Sequence, residues 1–587
     1  MSTEETVAGA FTPHATQSTP DSIQAIQQLL DEPASGQIAL GPAGSQITPE
    51  QTGGQAPSQQ AAVQKKSFLK KLFDGIDHDA KGLLSDIHNW ITIEKPVFNK
   101  TSAGQHSRWK NDTGNQVVDA LQLLTPSTID DLVQLIKTAE GKNCQVRAVG
   151  SGHSFSDVIQ TDDFLVSTDN LNRWIDLDTS LLKGGVDPKN LVEVEGGMKI
   201  RQLNDELDKR GLALINMGGY DGQSIAGATS TGTHGSGITF GPLASFYRSI
   251  VLVASGGIKY RIEPTQGITD PAKHLANYPD IQLVQNDDWF NTVSVSMGCT
   301  GIIYSVILEV MPAYWLKEVR TLTTWEQVKT LLTEGKVFAD NRHFEVLINP
   351  YSFNGTHTCL ITTRNITPST GALPPQKDKR NFLSQVFGLI PGMVDIIDFL
   401  LLNFPHLFPK IIEKALGGLA DPAYINKNYN VLNIGTENNL SAYSSELAFP
   451  MEGNKYIDAV EKIFEEADKM STLGNIYHTS PFSLRFVKGA DAFLAMMNGR
   501  DTCMIEIPVA NGSFGGFQLL ERYEKSLLSY SMRPHWGMIN YLTGSHDLVK
   551  GLYPHYDDWS GVVATLNAKG TFNNRFTYRC GFAVYPG

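Results

Sequence analysis

The chain has 587 residues, which is enough for two or three hydrophobic cores rather than one. Its formal net charge is −13, and this argues against nucleic acid as a main partner because phosphate binding requires a basic surface. The five cysteines are scattered and form no Cys-x-x-Cys pair, so the sequence predicts neither a disulfide framework nor a metal site. No apolar run of the signal-peptide type occurs in residues 1–64, which predicts a cytoplasmic or otherwise intracellular protein.

The N-terminal region divides into two segments of different character. Residues 1–64 contain too few large apolar side chains to offset the entropy of ordering, so a disordered leader is predicted. Residues 65–108 form a predicted helical segment, in which residues 65–73 place Phe and Leu on one face and lysines on the other. A helix docked on the body of the protein is the favoured interpretation, and a membrane-surface helix is the alternative.

From Trp109 onward the chain alternates predicted strands and helices. Ser127 is the predicted N-cap of a helix that begins at Thr128, and a second helix is predicted over residues 200–210. The predicted strands are short apolar or alternating runs at residues 144–149, 164–168, 191–195, 249–255 and 302–310.

A glycine-rich turn follows the strand at 144–149. In the sequence Gly150-Ser151-Gly152-His153-Ser154, two glycines flank a serine, so the backbone can turn sharply and pass close to a flat or charged ligand. The imidazole of His153 is therefore predicted to lie at a strand end, beside whatever occupies the turn.

A second stretch, residues 216–237, is dominated by Gly, Ser and Thr. This composition argues against a helix or an ordinary strand. It offers consecutive backbone N–H groups and small hydroxyls, which a pyrophosphate needs when no lysine is used.

The order Gly-Ser-Gly-His-Ser, Asn-Met-Gly, Ser-Ile-Ala-Gly and Thr-Gly-Thr-His-Gly resembles the vanillyl-alcohol oxidase superfamily, and within it the sugar-1,4-lactone oxidase and alditol oxidase branch. The resemblance implies an α+β fold with a two-subdomain PCMH-type FAD-binding domain over residues 109–312. An α+β substrate-binding cap would cover residues 313–545 and carry a helical insertion at about 380–420. Residues 546–587 would return to the FAD-binding domain.

The resemblance also implies FAD as the cofactor, bonded covalently through His153 to the 8α-methyl group; tight non-covalent binding is the alternative. Because no cysteine lies between Cys144 and Cys299, a second covalent bond is not expected. The residues that the resemblance assigns to FAD binding are Gly150, Ser151, Gly152, His153, Ser154, Gly218, Ser224, Ala226, Gly227, Thr231, Gly232, Thr233, His234, Gly235, Gly301 and Ile302.

Prolines and charges interrupt the apolar insertion at about 380–420, so no segment reaches the ~20 apolar residues that a membrane span requires. A helical hairpin packed on the cap or at a contact between two copies is the favoured interpretation. Attachment to a membrane surface is the alternative.

Three residues are predicted to be catalytic. Arg485 matches an arginine that touches the reacting hydroxyl in alditol oxidases, and His535 belongs to a family-like Arg-Pro-His-Trp-Gly string. Glu506 is the candidate base, with an edge-strand carboxylate in water as the alternative. His234 is expected to order the pyrophosphate loop.

Several positions depart from the family pattern. Met538 replaces a lysine, Ser483 replaces a glutamate, and Gly219 replaces a substrate-binding serine. These changes predict a pocket for a larger or less polar alcohol or lactone. Gly218 stands where a small residue leaves room for O2, which favours an oxidase.

The sequence therefore predicts an FAD-dependent oxidase that acts on a CH–OH group of a sugar lactone, a polyol or a bulkier alcohol and produces H2O2. One alternative is a flavin dehydrogenase with another electron acceptor. The other is a flavin-binding interaction protein that has lost its catalysis.

Overall fold

The computed structural model describes residues 107–370, 401, 404–435, 442–542 and 546–586. All of them belong to one structural unit. The predicted leader, almost all of the segment 65–108, and the insertion from 380 to 400 lie outside the described residues. Within the described part, no helix is both long and apolar enough to cross a membrane.

Strands and helices contribute comparable shares of the structure. The strands of the first half are β1 Ser107–Lys110, β2 Val117–Ala120, β3 Gln122–Leu124, β4 Val146–Val149, β5 Phe164–Ser167, β6 Trp174–Ile175, β7 Leu191–Glu195, β8 Leu212–Ala213, β9 Tyr247–Ala254, β10 Ile258–Glu263, β11 Ile281–Gln285, β12 Ile302–Glu309 and β13 Met311–Pro312. Those of the second half are β14 Trp315–Thr324, β15 His343–Phe353, β16 Thr356–Thr367, β17 Asp421–Lys427, β18 Ala442–Pro450, β19 Phe482–Val487, β20 Thr502–Ala510 and β21 Arg533–Pro534.

Helices connect and cover these strands. They are α1 Ile129–Gly141, α2 Ile200–Lys209, α3 Ile225–Ser230, α4 Pro271–Asn277, α5 Asp287–Ser294, α6 Trp325–Glu334, α7 Lys336–Asp340, α8 Phe408–Leu419, α9 Asn428–Leu432, α10 Lys455–Gly474, α11 Gly516–Leu527, α12 His546–Leu552, α13 Tyr556–Leu566 and α14 Arg575–Cys580.

The first half contains two main sheets. Three parallel strands pair in the order β3-β5-β4, and six strands pair in the order β11-β10-β9-β12-β7-β6. Strand β9 is buried along almost its whole length, and its Ile250 and Leu252 share a core with Leu203 of α2 and Val293 of α5. Burial of these apolar side chains at about 25 cal/mol per Å² stabilises the six-stranded sheet, on which Ile225 of the second glycine-rich stretch packs.

Two local predictions are wrong in detail. The N-cap of α1 is Thr128 rather than Ser127, because the Thr128 hydroxyl accepts a hydrogen bond from the Asp131 N–H at 3.1 Å. The stretch 216–237 also contains a six-residue helix, α3, which the sequence analysis excluded. Ile225 and the small residues after it are buried against the six-stranded sheet, so tertiary packing overrides the weak helix propensity.

The second half is organised on one eight-stranded antiparallel sheet, which we call the cap sheet. Its order is β17-β14-β16-β15-β19-β20-β18-β21. Side chains alternate across each strand, and one face packs its apolar residues, such as Leu484 and Ile505, against α6, α10 and α11. The opposite face carries polar and charged residues, among them Arg485 and Glu506. Because β20 lies between β19 and β18, Glu506 is on an internal strand, and the edge-strand alternative is wrong.

The end of the chain contacts the first half. The Val146 N–H of β4 donates to the Thr571 carbonyl at 2.8 Å, and the Asn574 side chain donates to the Val158 and Gln160 carbonyls at 3.0 Å each. These bonds lie close to the glycine-rich turn and hold the strand that leads into it.

Glu524 of α11 gives the fold a testable pH dependence. The side chain is buried, both of its oxygens accept from the Tyr541 N–H, and burial raises its pKa to about 7. The fold therefore favours the protonated form, and the stability that this form contributes is complete below about pH 4.5 and is lost as the pH rises through about 7. Between pH 5 and 8, we expect the free energy of unfolding of the wild type to fall by about 3 kcal/mol more than that of Glu524→Gln.

The thermal unfolding midpoints of the wild type and Glu524→Gln, measured between pH 5 and 8, report this difference in stability. Glu521→Gln is the matched control, since Glu521 lies on the same helix, is partly exposed and pairs with Lys525. Parallel pH profiles for the wild type and Glu524→Gln would contradict the expectation.

Candidate active site

The glycine-rich turn after β4 is fixed by three separate segments. The Asn111 amide donates to the Ser154 carbonyl at 3.0 Å, and the Phe155 N–H donates to the Gly537 carbonyl at 2.7 Å. The buried Arg147 side chain also donates to the Phe572 carbonyl at 2.8 Å. The Gly-Ser-Gly-His-Ser motif and the Arg-Pro-His-Trp-Gly string are therefore neighbours, although about 380 residues separate them.

Gly152 is required in this turn for two reasons. Its φ of +77° lies in the left-handed region, which favours glycine. An added Cβ would also lie 2.9 Å from Cζ2 of Trp109. The Trp109 side chain thus packs directly against the turn.

His153 lies at the cleft between the turn and the cap sheet. Its Nδ1 is 3.0 Å from Oδ2 of Asp112, and its ring centroid is 6.0 Å from that of Tyr220. The contact with Asp112 orients the ring and leaves Nε2 as the nitrogen that can react with a ligand.

The two glycine-rich stretches pack against each other without room for side chains. A Cβ at Gly150 would lie 2.0 Å from Oγ of Ser224, and a Cβ at Gly227 would lie 2.7 Å from the same atom. At Gly235, a Cβ would lie 2.4 Å from Oδ1 of Asn216. These glycines therefore leave room for the Ser224 and Asn216 side chains, and the two stretches together form one wall of the cleft.

The cap sheet forms the opposite wall. Strand pairing places Leu347, Ser483, Glu506 and Glu446 side by side across β15, β19, β20 and β18. All four line the cleft. A single row of paired positions therefore presents two carboxylates and a hydroxyl toward the glycine-rich wall.

Arg485 is the central cation of the cap-sheet wall. Its Nη1 is 2.8 Å from Oε2 of Glu506, and its Nε is 3.5 Å from Oε1 of Glu345. Burial would lower the pKa of Arg485, but these carboxylates outweigh burial and raise it, so the guanidinium is charged. Ser483 lies beside this pair, and its buried hydroxyl has no hydrogen-bond partner in the structure. Such an orphaned group facing a cleft is suited to a polar ligand.

A second group of titratable side chains joins the two walls, because His234 comes from the glycine-rich stretch and Glu446 from the cap sheet. His234 Nε2 is 3.2 Å from Oε1 of Glu446, and His535 Nε2 is 3.9 Å from Oε2 of Glu446. The Gly537 N–H donates to Nδ1 of His535 at 3.0 Å. Burial lowers the pKa of His535 to about 4, so this imidazole is neutral near pH 7 with its proton on Nε2.

Comparison with known families covers most of the described chain. A FAD binding domain model matches residues 120–261, and a D-arabinono-1,4-lactone oxidase model matches residues 306–580. The chain belongs to the sugar-1,4-lactone oxidase and alditol oxidase branch of the PCMH-type FAD-binding superfamily. It is an FAD-dependent oxidoreductase that acts on CH–OH donors, as the sequence predicted.

Individual relatives align over nearly their whole length. L-gulono-1,4-lactone dehydrogenase of Mycobacterium tuberculosis (strain CDC 1551 / Oshkosh) is 28% identical over 80% of this chain and 98% of its own. L-gulonolactone oxidase of Bos taurus is 25% identical over 77% of this chain and 93% of its own. Alditol oxidase of a Streptomyces sp. is 24% identical over 79% of this chain and 97% of its own. The solved structure of a solvent-stable cholesterol oxidase has the same fold, with a TM-score of 0.64, 14% identity and coverage of 81% and 97%.

The cleft of this oxidoreductase fits FAD by its shape and by its polar groups. Gly150 and Gly227 both pack against the small Ser224 side chain, which leaves small residues and backbone along one wall, and the Ser483 hydroxyl on the other wall lacks a partner. Most predicted residues line this cleft: Ser151, Gly152, His153, Ser154, Gly218, Ser224, Gly227, Thr231, Thr233, His234, Arg485, Glu506 and His535.

The remaining predicted FAD-binding residues do not line the cleft. Gly150, Ala226, Gly232 and Gly235 belong to the same two stretches and support their backbones. Gly301 and Ile302 lie at the start of β12, where a Cβ on Gly301 would be 2.4 Å from the Val253 carbonyl oxygen. Their place in the structure is packing between β12 and β9.

Sequence reasoning missed three side chains of this site: Asp112, Ser444 and Glu446. Glu446 had a recognisable signal, because it is the one charged residue within the otherwise neutral strand β18. Asp112 carried no signal, since its role arises only when the segment after β1 folds against the turn.

The three departures from the family pattern have structural counterparts. Met538 lies with its sulfur 3.6 Å from Oγ of Ser444. A Cβ at Gly219 would lie 2.8 Å from the Ile434 side chain, so an apolar residue of the cap occupies the place of a serine hydroxyl. Ser483 pairs directly with Glu506 across the sheet, so the carboxylate lost on β19 is present on β20.

Proposed function

We propose that this flavoprotein is an oxidase that converts a secondary or primary alcohol, R2CH–OH, and O2 to the carbonyl compound and H2O2. The observation that carries the proposal is the partly buried Arg485–Glu506 pair beside the unpartnered Ser483 hydroxyl, opposite the glycine-rich wall. When bound in the cleft, FAD accepts the hydride of the alcohol carbon. We propose that it is bonded covalently through His153.

In this proposal the side chains of the cap sheet bind the substrate hydroxyl group and accept its proton. Arg485 donates a hydrogen bond to the substrate oxygen, and Ser483 fixes its orientation. Glu506 accepts the hydroxyl proton through Oε1 or Oε2, and its contact with Arg485 at 2.8 Å holds the carboxylate beside the hydroxyl. His535 supports this wall as a neutral imidazole that faces Glu446.

The side chains around this polar centre favour a bulkier substrate than a small polyol. Relatives carry the names L-gulonolactone oxidase and alditol oxidase. In this chain, Ile434, Leu347 and Met538 add apolar surface to the cleft. We therefore propose a sugar lactone or alcohol with an apolar portion.

Gly218 supports O2 as the electron acceptor. Its φ is not in the left-handed region, and an added Cβ would lie 3.1 Å from Cγ2 of Thr233 and 3.2 Å from the His234 carbonyl oxygen. A methyl group would therefore fill the small gap beside the flavin. We expect Gly218→Ala to slow reoxidation by O2 at least ~10-fold, a barrier change of about 1.4 kcal/mol, with little change in reoxidation by a soluble quinone.

Stopped-flow reoxidation of the substrate-reduced protein measures both rates. Gly219→Ala is the matched control, because this neighbour is also tightly packed, against Ile434. A wild-type protein that reacts with quinone but not with O2 would favour the second candidate function, a flavin dehydrogenase, which the M. tuberculosis relative's name supports.

Other features of the proposal follow from the sequence. The domain boundaries at 109–312, 313–545 and 546–587 are proposed on the family resemblance. Intracellular location, contact between copies of the chain, and membrane-surface contact through residues 65–73 or 380–420 stay predictions.

A further inference from the structure

His234 is held between two hydrogen-bond acceptors. Its Nδ1 is 2.8 Å from the Gly235 carbonyl oxygen, and its Nε2 is 3.2 Å from Oε1 of Glu446. A carbonyl oxygen and an ionised carboxylate accept hydrogen bonds but donate none, so each ring nitrogen must carry a proton. Two protons on one ring make an imidazolium cation.

The surroundings of Glu446 keep this carboxylate ionised. Besides His234, it faces Nε2–H of His535 at 3.9 Å and Nη1 of Arg485 at 3.9 Å. Burial would raise the pKa of Glu446, but the charge of His234 outweighs burial and lowers it to about 2. Burial would likewise lower the pKa of His234, and Glu446 raises it.

The cleft otherwise has little positive charge. Among the described residues that line it, no lysine is present. Arg485 is a cation, but Glu506 and Glu345 both contact it. A ring that gains electrons and becomes anionic is stabilised by a nearby cation in a buried setting.

We propose that Glu446 is a positioning residue that keeps His234 protonated, so that this buried cation raises the reduction potential of a flavin bound in the cleft. The proposal rests on FAD binding in this cleft. It is independent of the alcohol that is oxidised and of the final electron acceptor.

The test is Glu446→Gln in the FAD-loaded protein. The glutamine amide can donate to Nε2, so His234 no longer needs a second proton. In 15N-histidine NMR spectra at pH 7.5, with the His234 signal identified by its loss in His234→Asn, we expect an imidazolium in the wild type and a neutral ring in the variant. We expect the two-electron potential to fall by at least about 30 mV, a tenfold change in the reduction equilibrium.

The sign of the potential change separates this proposal from a simple charge effect. Removing a carboxylate alone makes the cleft more positive and raises the potential, as we expect for the control Glu506→Gln, which leaves His234 paired. Glu446→Asp retains the charge and is expected to retain the imidazolium.

Three results would overturn the proposal: a neutral His234 in the wild type, a potential that is unchanged or higher in Glu446→Gln, or a divalent metal ion bound by His234, Glu446 and His535, whose ligand atoms lie within 4.8 Å of one another. If Glu446→Gln fails to fold, the NMR spectrum of the wild type still tests the proposal, because a neutral His234 would overturn it. Loss of reactivity with O2 would count against the proposed function alone.

Discussion

Replacing His153 with alanine is expected to abolish acid-stable attachment of flavin while leaving part of the FAD bound. Asp112 holds Nδ1 of His153, so Nε2 is the nitrogen available for a bond to the flavin. The glycine-rich wall and the cap sheet, which enclose the rest of the cofactor, do not depend on this side chain. Flavin absorbance in the acid-precipitated protein should fall from nearly one equivalent in the wild type to the background level in the variant.

His555→Ala is the matched control for this experiment. His555 also contacts an aspartate through Nδ1, at 3.1 Å from Asp558, but both side chains are about half exposed on α13 and the residue before it. The control should keep all of its covalent flavin. Acid-stable flavin in His153→Ala, or flavin that is fully extractable from the wild type, would show that His153 is not the attachment site.

The second large effect is expected for Glu506→Gln. The amide keeps the size of the side chain and its hydrogen bond with Arg485, but it cannot accept the hydroxyl proton. A lost general base slows proton transfer by typically ~10²–10⁴-fold, so the rate of anaerobic flavin reduction by substrate should fall by that factor. Substrate binding should change little, because Arg485 and Ser483 are retained.

Glu345→Gln controls for the loss of charge at Arg485. Glu345 also contacts this arginine, at 3.5 Å, but it pairs with Arg364 at 2.8 Å and does not line the cleft. Its loss should reduce the rate by less than about tenfold, since no proton acceptor is removed. Equal losses in the two variants would assign Glu506 an electrostatic role and not that of a base.

The sequence predicted the fold and the cofactor because the informative residues are local. The glycines of residues 150–154 and 216–237 mark close packing, and the family resemblance that they carry assigned Arg485 and Glu506 to the substrate-binding cap. Predicting which side chains meet required more than local pattern. Glu446 and His535 come together through the register of the cap sheet, and His234 reaches them from the glycine-rich stretch of the first half.

Boundary errors have equally physical causes. Thr128 caps α1 in place of Ser127 because the Asp131 carboxylate already accepts the Ser127 N–H at 2.9 Å. Helix α3 forms within a Gly-, Ser- and Thr-rich stretch because burial of Ile225 contributes more than the intrinsic propensity of the other residues costs. The capping contact between Thr128 and Asp131 is local and could have been found in the sequence, whereas the packing of Ile225 is a tertiary contact that the local pattern does not contain.

The central claim is that this cleft oxidises a CH–OH group with bound FAD. The most direct measurement is the visible absorbance of the purified protein, mixed without oxygen with sugar lactones, alditols and bulkier secondary alcohols. The account predicts loss of the oxidised-flavin band with at least one of these compounds, fastest with a lactone or alcohol that has an apolar portion, and stoichiometric H2O2 once air is admitted. A flavin-loaded protein that none of these compounds reduces, or a purified protein without flavin, would contradict it.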